Sequence, residues 1–294
     1  MIFSVGMTLK LSIVTPSYNQ GRFLEETLLS VLNQGYDNLE YIVIDGGSSD
    51  NSVDIIKKYE HRLAYWVSEK DRGQVHAINK GLEKVTGDVF GFVNSDDLYF
   101  PGTFNAVMKY FHDHPNSEWV CGDTEMFGEG HSTEMIHSVV PKSAAHVLSW
   151  AYTAPQPGHF WKTELVRSGF QERWNYDFDH DMYVRLLLNG HKCEHLPIAM
   201  ARYRLHAVSK TIAEGHRQIE EFDQIAEFYE PQLQGADQRW CRATRFLRLS
   251  YAASEAGRKV EATKWLTRAL ATHPESLMNR PFWGCLKRLM LSGI

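Results

Sequence analysis

The sequence predicts an α/β fold, a mostly parallel sheet flanked by helices with an α-helical C-terminal appendage. Three observations lead there. Short apolar runs alternate with amphipathic stretches between residues 11 and 93. Polar, Gly-rich loops follow those runs directly, and beyond residue 205 helical spacing replaces strand-like runs.

The strand candidates are residues 11–15, 39–44, 63–68 and 89–93, rich in Val, Ile and aromatics and bounded by Gly, Asp, Asn or Pro. Between the first two, Leu24, Leu28, Val31 and Leu32 share a helix face, and Glu25 and Glu26 in the opening turn complement the helix dipole. A second helix opens from the loop Asp45-Gly46-Gly47-Ser48-Ser49-Asp50-Asn51. A third starts near Gly73 and carries Val75, Ile78, Leu82 and Val85 at helical spacing. Residues 101–114 read as a further helix, and 118–150 are too mixed to order. Residues 214–230 form one helix ended by Pro231, and 237–273 form a hairpin of two. There Leu249, Gly257, Ala262, Leu266, Ala269 and Pro274 match one tetratricopeptide-like helix pair. One pair cannot bury its own face, so it is expected to pack on the body. The expected division is 1–211 and 212–294.

The 294 residues are 43% hydrophobic and 23% charged, with 21 Gly and 10 Pro, which excludes disordered and collagen-like chains. No apolar run reaches membrane-spanning length, and the opening residues lack the pattern of a secretory signal. The four cysteines, Cys121, Cys193, Cys241 and Cys285, form no C-x-x-C pair, so they are expected to be reduced and the protein cytoplasmic. Residues 232–294 carry 11 Lys and Arg against 4 Asp and Glu, whereas residues 1–231 carry 20 against 32. An acidic body does not suit nucleic acid, whose phosphates dominate affinity. The basic stretch Arg280 to Arg288, with Phe282, Trp283, Leu286 and Leu289, has the composition of a helix at an anionic membrane surface; peripheral membrane contact and packing on the body are both open for it.

Six places could carry chemistry. Thr15-Pro16-Ser17-Tyr18-Asn19 ends the first strand, and Asn19 could equally cap a helix. Asp45 ends the second strand, where ligands of open α/β sheets bind, but an Asp before Gly also makes turns. Asp71 in Lys70-Asp71-Arg72-Gly73 puts another acid at a neighbouring strand end. The adjacent Asp96 and Asp97 of Asn94-Ser95-Asp96-Asp97 repel unless a divalent cation neutralises them. Asp179 and Asp181 of Asp177-Phe178-Asp179-His180-Asp181 stand at a helix start, where a carboxylate can serve as general base or merely cap. His206 of Tyr203-Arg204-Leu205-His206 is a structural residue or, beside carboxylates, a ligand for Mn or a similar ion.

Taken together with Asn79-Lys80-Gly81, the ordered set over roughly residues 9–211 resembles the family 2 glycosyltransferases, inverting enzymes of the GT-A-like, Rossmann-type fold. The resemblance implies a nucleotide-sugar donor, commonly a UDP-sugar, a divalent cation (Mn or Mg), and a glycan or lipid-linked glycan acceptor in surface polysaccharide synthesis. It places Thr15, Pro16, Tyr18, Asp45, Asp71, Asn79 and Asp96 at the donor, with Asp45 on the base and Asp96 towards the ribose or sugar. It makes Asp97 and His206 the metal ligands and Asp179 the catalytic base. Where many members have Glu-Asp or Met-Asp, this chain has Phe178-Asp179 followed by Asp181, and the choice between the two acids stays open. A dehydrogenase is disfavoured because no G-x-G-x-x-G follows the first strand. The alternative of another class is a catalytically degenerate nucleotide-sugar-binding scaffold.

Overall fold

A computed structural model describes residues 9–275. The first half runs β1 (Leu11–Ser17), α1 (Leu24–Leu32), β2 (Leu39–Asp45), α2 (Ser52–Tyr59), β3 (Tyr65–Ser68), α3 (Gln74–Lys84), β4 (Val89–Phe92), β5 (Leu98–Tyr99) and α4 (Thr103–Asp113). It continues with β6 (Trp119–Gly128), β7 (Glu134–Ile136), α5 (Ala144–Leu148), β8 (His159–Lys162), α6 (Thr163–Val166), α7 (Phe178–Leu188) and β9 (Cys193–Leu205). Four helices end the described chain: α8 (Lys210–Ala213), α9 (Gly215–Tyr229), α10 (Gly235–Glu255) and α11 (Lys259–Thr272).

The strands form one sheet in the order β3-β2-β1-β4-β8-β6-β9-β5, with β7 paired to β6. From β3 to β4 the pairing is parallel, so the carboxyl ends of β1, β2, β3 and β4 lie along one edge. β8 then runs antiparallel between β4 and β6, and β9 returns parallel to β6. The strands of the parallel half are buried on both faces, which is why they read as apolar runs. Leu11, Ile13, Tyr41 and Val43 face α1, α2 and α4, while Val14, Ile42, Ile44, Phe90 and Phe92 face α3 and α7.

The four expected strands and the helices near residues 24, 52, 74 and 103 are all present; β3 starts at Tyr65 rather than Leu63. The mixed stretch 118–150 resolves into β6, β7 and α5. β9 is a strand that the sequence pattern did not announce, because Pro197 and a register shift against β6 between Cys121 and Thr124 interrupt its alternation. Asn19 caps no helix. It adopts a left-handed conformation (φ 52°), and its side-chain oxygen accepts from the Ser49 N–H, tying the first strand-end loop to the second.

The expected helix pair is present as α10 and α11, joined at Gly257 (φ 70°), with Leu247, Leu266 and Ala269 between them. Leu247 rather than Leu249 is the buried member, because it lies on the face that meets α11. The division after residue 211 does not separate two cores. Ile225, Ala226 and Tyr229 of α9, together with Leu233 and Cys241, belong to the same cluster as Phe92, Trp161 and Met182. Among the described residues no helix is long and apolar enough to cross a membrane, and Cys121, Cys193 and Cys241 are free and buried. Cys285 and the basic stretch from Arg280 onward lie outside the described residues.

Gly81 shows how closely α3 lies on β1. A Cβ there would stand 2.5 Å from Val14 Cγ1, and Val14 is a stiff, β-branched side chain in a central strand. Gly81→Ala is expected to reduce the unfolding free energy by about 1–2 kcal/mol, overpacking of roughly 1–3 kcal/mol being offset in part by better helix propensity. Chemical denaturation checks this, and an unchanged or raised midpoint would contradict the tight contact.

Candidate active site

The carboxyl ends of the parallel strands open into a cleft of about 570 Å³ lined by Pro16, Tyr18, Lys70, Asp71, Asp96 and Asp97, among others. The loops forming one wall are cross-tied by their own side chains. Asp50 Oδ2 accepts from the Gly21 N–H at 2.9 Å, and the Gln20 N–H donates to Ser52 Oγ at 3.1 Å. Asp45 is fully buried beneath that wall. Its Oδ2 accepts from the N–H groups of Gly47 and Ser48 and from Ser68 Oγ, and its Oδ1 accepts from Ser48 Oγ. The turn-forming role of an Asp before Gly is therefore realised, and Asp45 shapes the loop from below without lining the cleft. Asp71 does line it. Its carboxylate passes so near Gly46 that a Cβ there would stand 2.6 Å from Asp71 Oδ2. A side chain at position 46 would push the Asp71 carboxylate out of that place.

The opposite wall is the turn after β4 and the end of β9. Arg204 donates its N–H to Asp97 Oδ1 at 2.8 Å and its Nε–H to the Asp96 carbonyl at 2.8 Å, and Asn94 Nδ2 donates to Asp97 Oδ2. Asp97 is 1% exposed; burial first, and then the neighbouring Asp96 charge, push its carboxyl well above the usual carboxylate range. Asp96 points the other way. Its Oδ2 lies 2.9 Å from His206 Nε2, and the His206 ring stacks beside Phe23 with Nδ1 buried and unpartnered. The acid that meets His206 is thus Asp96, while Asp97, expected with His206 at a metal, is turned to Arg204 and Asn94. The reason is steric: in a tight turn two successive side chains leave on opposite sides, and Asp97 takes the buried one.

Like Asp45, two other residues expected at the donor, Thr15 and Asn79, do not line the cleft. Thr15 is buried with its hydroxyl against Tyr41 Oη at 2.9 Å. Asn79 is engaged with the Phe170 backbone, donating to its carbonyl and accepting from its N–H, both at 2.8 Å, which ties α3 to the segment before α7. Conversely the cleft is lined by groups that the sequence reading passed over, notably Lys210, Asn175 and Tyr203. Lys210 Nζ donates to Gln74 Oε1, Asn175 O and Asn175 Oδ1 at 3.0–3.2 Å, and burial lowers its pKa. A cation held by neutral acceptors keeps its charge for whatever anion enters. Its only sequence signal was a lysine a few positions after His206.

The two acids at the start of α7 have different surroundings. Asp181 is fully buried and accepts from Trp174 Nε1, Tyr229 Oη and Arg185 Nε at 2.7–2.9 Å, so it is a structural tie between α7 and α9. Asp179 keeps 16% of its side chain exposed and accepts no side-chain hydrogen bond. It does not line the cleft; Tyr203 does, and burial first, then the charges of Asp97, Asp96 and Asp179, raise the pKa of that phenol. Burial raises the Asp179 pKa, with the His180 charge opposing and the Asp177 charge adding. His180 lies between Asp177 Oδ1 (2.8 Å) and Asp179 Oδ1 (3.5 Å). Burial disfavours its cation, but those two carboxylates outweigh burial and push it up to about 9.

Glycosyl transferase family 2 matches residues 12–172, more than half of the sequence. The chain belongs to that family. This family 2 glycosyltransferase is 31% identical over 184 residues to an uncharacterized glycosyltransferase of Mycobacterium tuberculosis, a match covering 60% of this chain and 68% of the relative. Its fold is similar to that of S. aureus TarS 1-349 in complex with UDP-GlcNAc, with TM-score 0.64, 20% identity and coverage of 91% of this chain and 82% of TarS. It is also similar to the mannosyltransferase PcManGT from Pyrobaculum calidifontis in complex with GDP-Man and Mn2+, with TM-score 0.59, 20% identity and coverage of 97% and 86%. The fold of the family 2 chain is therefore the GT-A type expected from the sequence.

A titration follows from the α7 cluster. A histidine raised from 6.5 to about 9 stabilises the fold fully below pH 6.5, and that contribution is lost as the pH rises through 9. Denaturation midpoints measured between pH 6 and 10 are expected to fall over that window, and His180→Gln to flatten the fall. A wild-type profile level from pH 6.5 to 9 would contradict the charged His180.

Proposed function

We propose that the protein is a metal-dependent inverting glycosyltransferase that moves a sugar from a nucleotide-diphosphate sugar, with UDP favoured as the nucleotide, to a hydroxyl of a glycan or lipid-linked glycan in surface polysaccharide synthesis. The observation that supports this most is a cleft at the strand ends lined by both Asp96 and Lys210, with His206 behind Asp96 at 2.9 Å, a carboxylate for a cation and an ammonium that together suit a diphosphate. Asp71, set against Gly46, and Pro16 and Tyr18 at the end of β1 would hold the nucleoside. Asp45 would act through the loop it braces.

A divalent cation suits this site because the Asp96 carboxylate is a hard oxygen donor for Mn or Mg, and the His206 imidazole 2.9 Å from it offers a nitrogen donor of the kind Mn accepts. Asp96 and His206 would hold it, with Asp97 fixing the turn behind them. The ion would neutralise charge developing on the departing diphosphate. Lys210 adds a second positive group on the same side.

Asp179 supplies the base. Its carboxylate, free of side-chain donors and with proton affinity raised by burial, takes the proton of the acceptor hydroxyl as that oxygen bonds to the anomeric carbon. The bond from that carbon to the diphosphate breaks on the opposite face, so configuration inverts. General-base help of this kind contributes about 10²- to 10⁴-fold. Asp181 cannot serve, because its three donors use both carboxylate oxygens.

Asp179→Asn is expected to reduce transfer by at least about 10²-fold while leaving nucleotide affinity nearly unchanged. Steady-state transfer or donor hydrolysis, with nucleotide titration alongside, checks this. Wild-type turnover in Asp179→Asn would remove Asp179 as base, and nucleotide binding without any turnover in the wild-type chain would favour a scaffold instead.

A further inference from the structure

The helix that carries Asp179 begins without a cap of its own. Asp177 stands at its N-cap position, yet its side chain makes no capping bond to the first turn. The backbone N–H groups leading into the helix are satisfied from α9. Glu221 Oε2 accepts from the Asn175 N–H at 2.7 Å, and Oε1 accepts from the N–H groups of Tyr176 and Asp177 at 2.6 and 2.8 Å. One carboxylate therefore takes three successive backbone donors, 44 to 46 residues away in sequence. Bonds of this kind to a charged acceptor are roughly twice as strong as neutral ones, and a carboxylate at a helix start also complements the dipole.

Neighbouring contacts extend this grip towards the reacting centre. Gln218 Nε2, one turn before Glu221, donates to Asp177 Oδ1 at 3.1 Å. The same Asp177 oxygen meets His180 Nδ1 at 2.8 Å, and His180 in turn faces Asp179. Glu214 accepts from Tyr176 Oη. Asn175, whose N–H is the first of the three, contributes its side chain to the cleft and holds Lys210. Tyr229 Oη, about two turns further along α9, donates to Asp181 Oδ1 at 2.7 Å, so α9 is tied both to the segment entering α7 and to the first turn of α7.

We propose that Glu221 is a positioning residue for glycosyl transfer: by holding the backbone of residues 175–177 it fixes the entry angle of α7 and so the place of the Asp179 carboxylate against the cleft. The C-terminal helices are on this view part of the active site, although no atom of α9 lines the cleft. The inference rests on the assignment of Asp179 as base. Misplacing a base by about 1 Å can cost about 10²-fold in rate, whereas nucleotide contacts made by Asp71, Asp96 and the strand-end loops lie on other elements.

The test uses the full chain in wild-type form and as Glu221→Gln, Glu221→Ala and Glu220→Gln, the last an exposed neighbour as control. Each is assayed with UDP-GlcNAc and GDP-mannose plus Mn2+ for release of nucleoside diphosphate, for UDP and GDP affinity, and for hydrogen exchange of amides 175–177. Glu221→Gln keeps the shape but presents an NH₂ group to one or more of the three donors, so it carries the test if Glu221→Ala does not fold. The expected result is faster exchange confined to residues 175–182, kcat lower by about 10- to 100-fold, and nucleotide affinity lowered by a smaller factor than kcat, through the Asn175 contact to Lys210. The control is expected to match wild type. Wild-type kcat in Glu221→Gln, or loss of rate with unchanged exchange at 175–177, would overturn the role of Glu221 while the transferase reading stands. A wild-type chain that neither binds nor turns over either donor would overturn both.

Discussion

Three hydrogen bonds between the turn after β4 and the end of β9 hold the site together: Arg204 N–H to Asp97, Arg204 Nε–H to the Asp96 carbonyl, and His206 to Asp96. The two segments are 107 to 110 residues apart, and β9 reaches the turn only because the sheet passes through β8 and β6 first. Physical necessity enforces the junction. Two adjacent carboxylates at a buried turn are tolerable only if each has a partner, and the chain gives Asp97 a backbone donor and Asp96 an imidazole. The shape of the cleft wall and the place of Lys210 four residues after His206 both follow from that pairing.

The parallel half was legible because strands covered on both faces are continuous in apolar character, and because each ends in a turn that Gly, Asn or Asp must make. Asp71, Pro16, Tyr18 and the Asp96-Asp97 pair could accordingly be placed at one sheet edge without coordinates. What could not be read is which member of an adjacent pair turns inward: Asp97 does, to Arg204, and Asp96 meets His206. Thr15 and Asn79 show the same limit: a polar residue beside a site serves the ligand or the protein equally well in sequence, and here both serve the protein. Asp181 became distinguishable from Asp179 only when Trp174, Tyr229 and Arg185 were seen to converge on it.

The C-terminal helices illustrate a related point. Their spacing announces a buried face but not which residues cover it, and α9 packs on the body by joining its main core. Glu221 carried no sequence signal at all, since its partners are backbone N–H groups whose demand exists only after α7 is placed. In this transferase architecture the acids proposed to touch the donor come from strand ends, while the entry to the helix bearing the proposed base is hydrogen-bonded from α9, a part of the chain beyond the residues that define the family match.

The most direct measurement is calorimetric titration of UDP and GDP into the wild-type chain and Asp96→Ala, with Mn2+, with Mg2+ and with chelator. The expected result is binding of one nucleotide that requires the cation and is lost in Asp96→Ala. Absence of nucleotide binding under every condition, or equal affinity with chelator and in Asp96→Ala, would contradict a diphosphate held at the Asp96 and His206 junction.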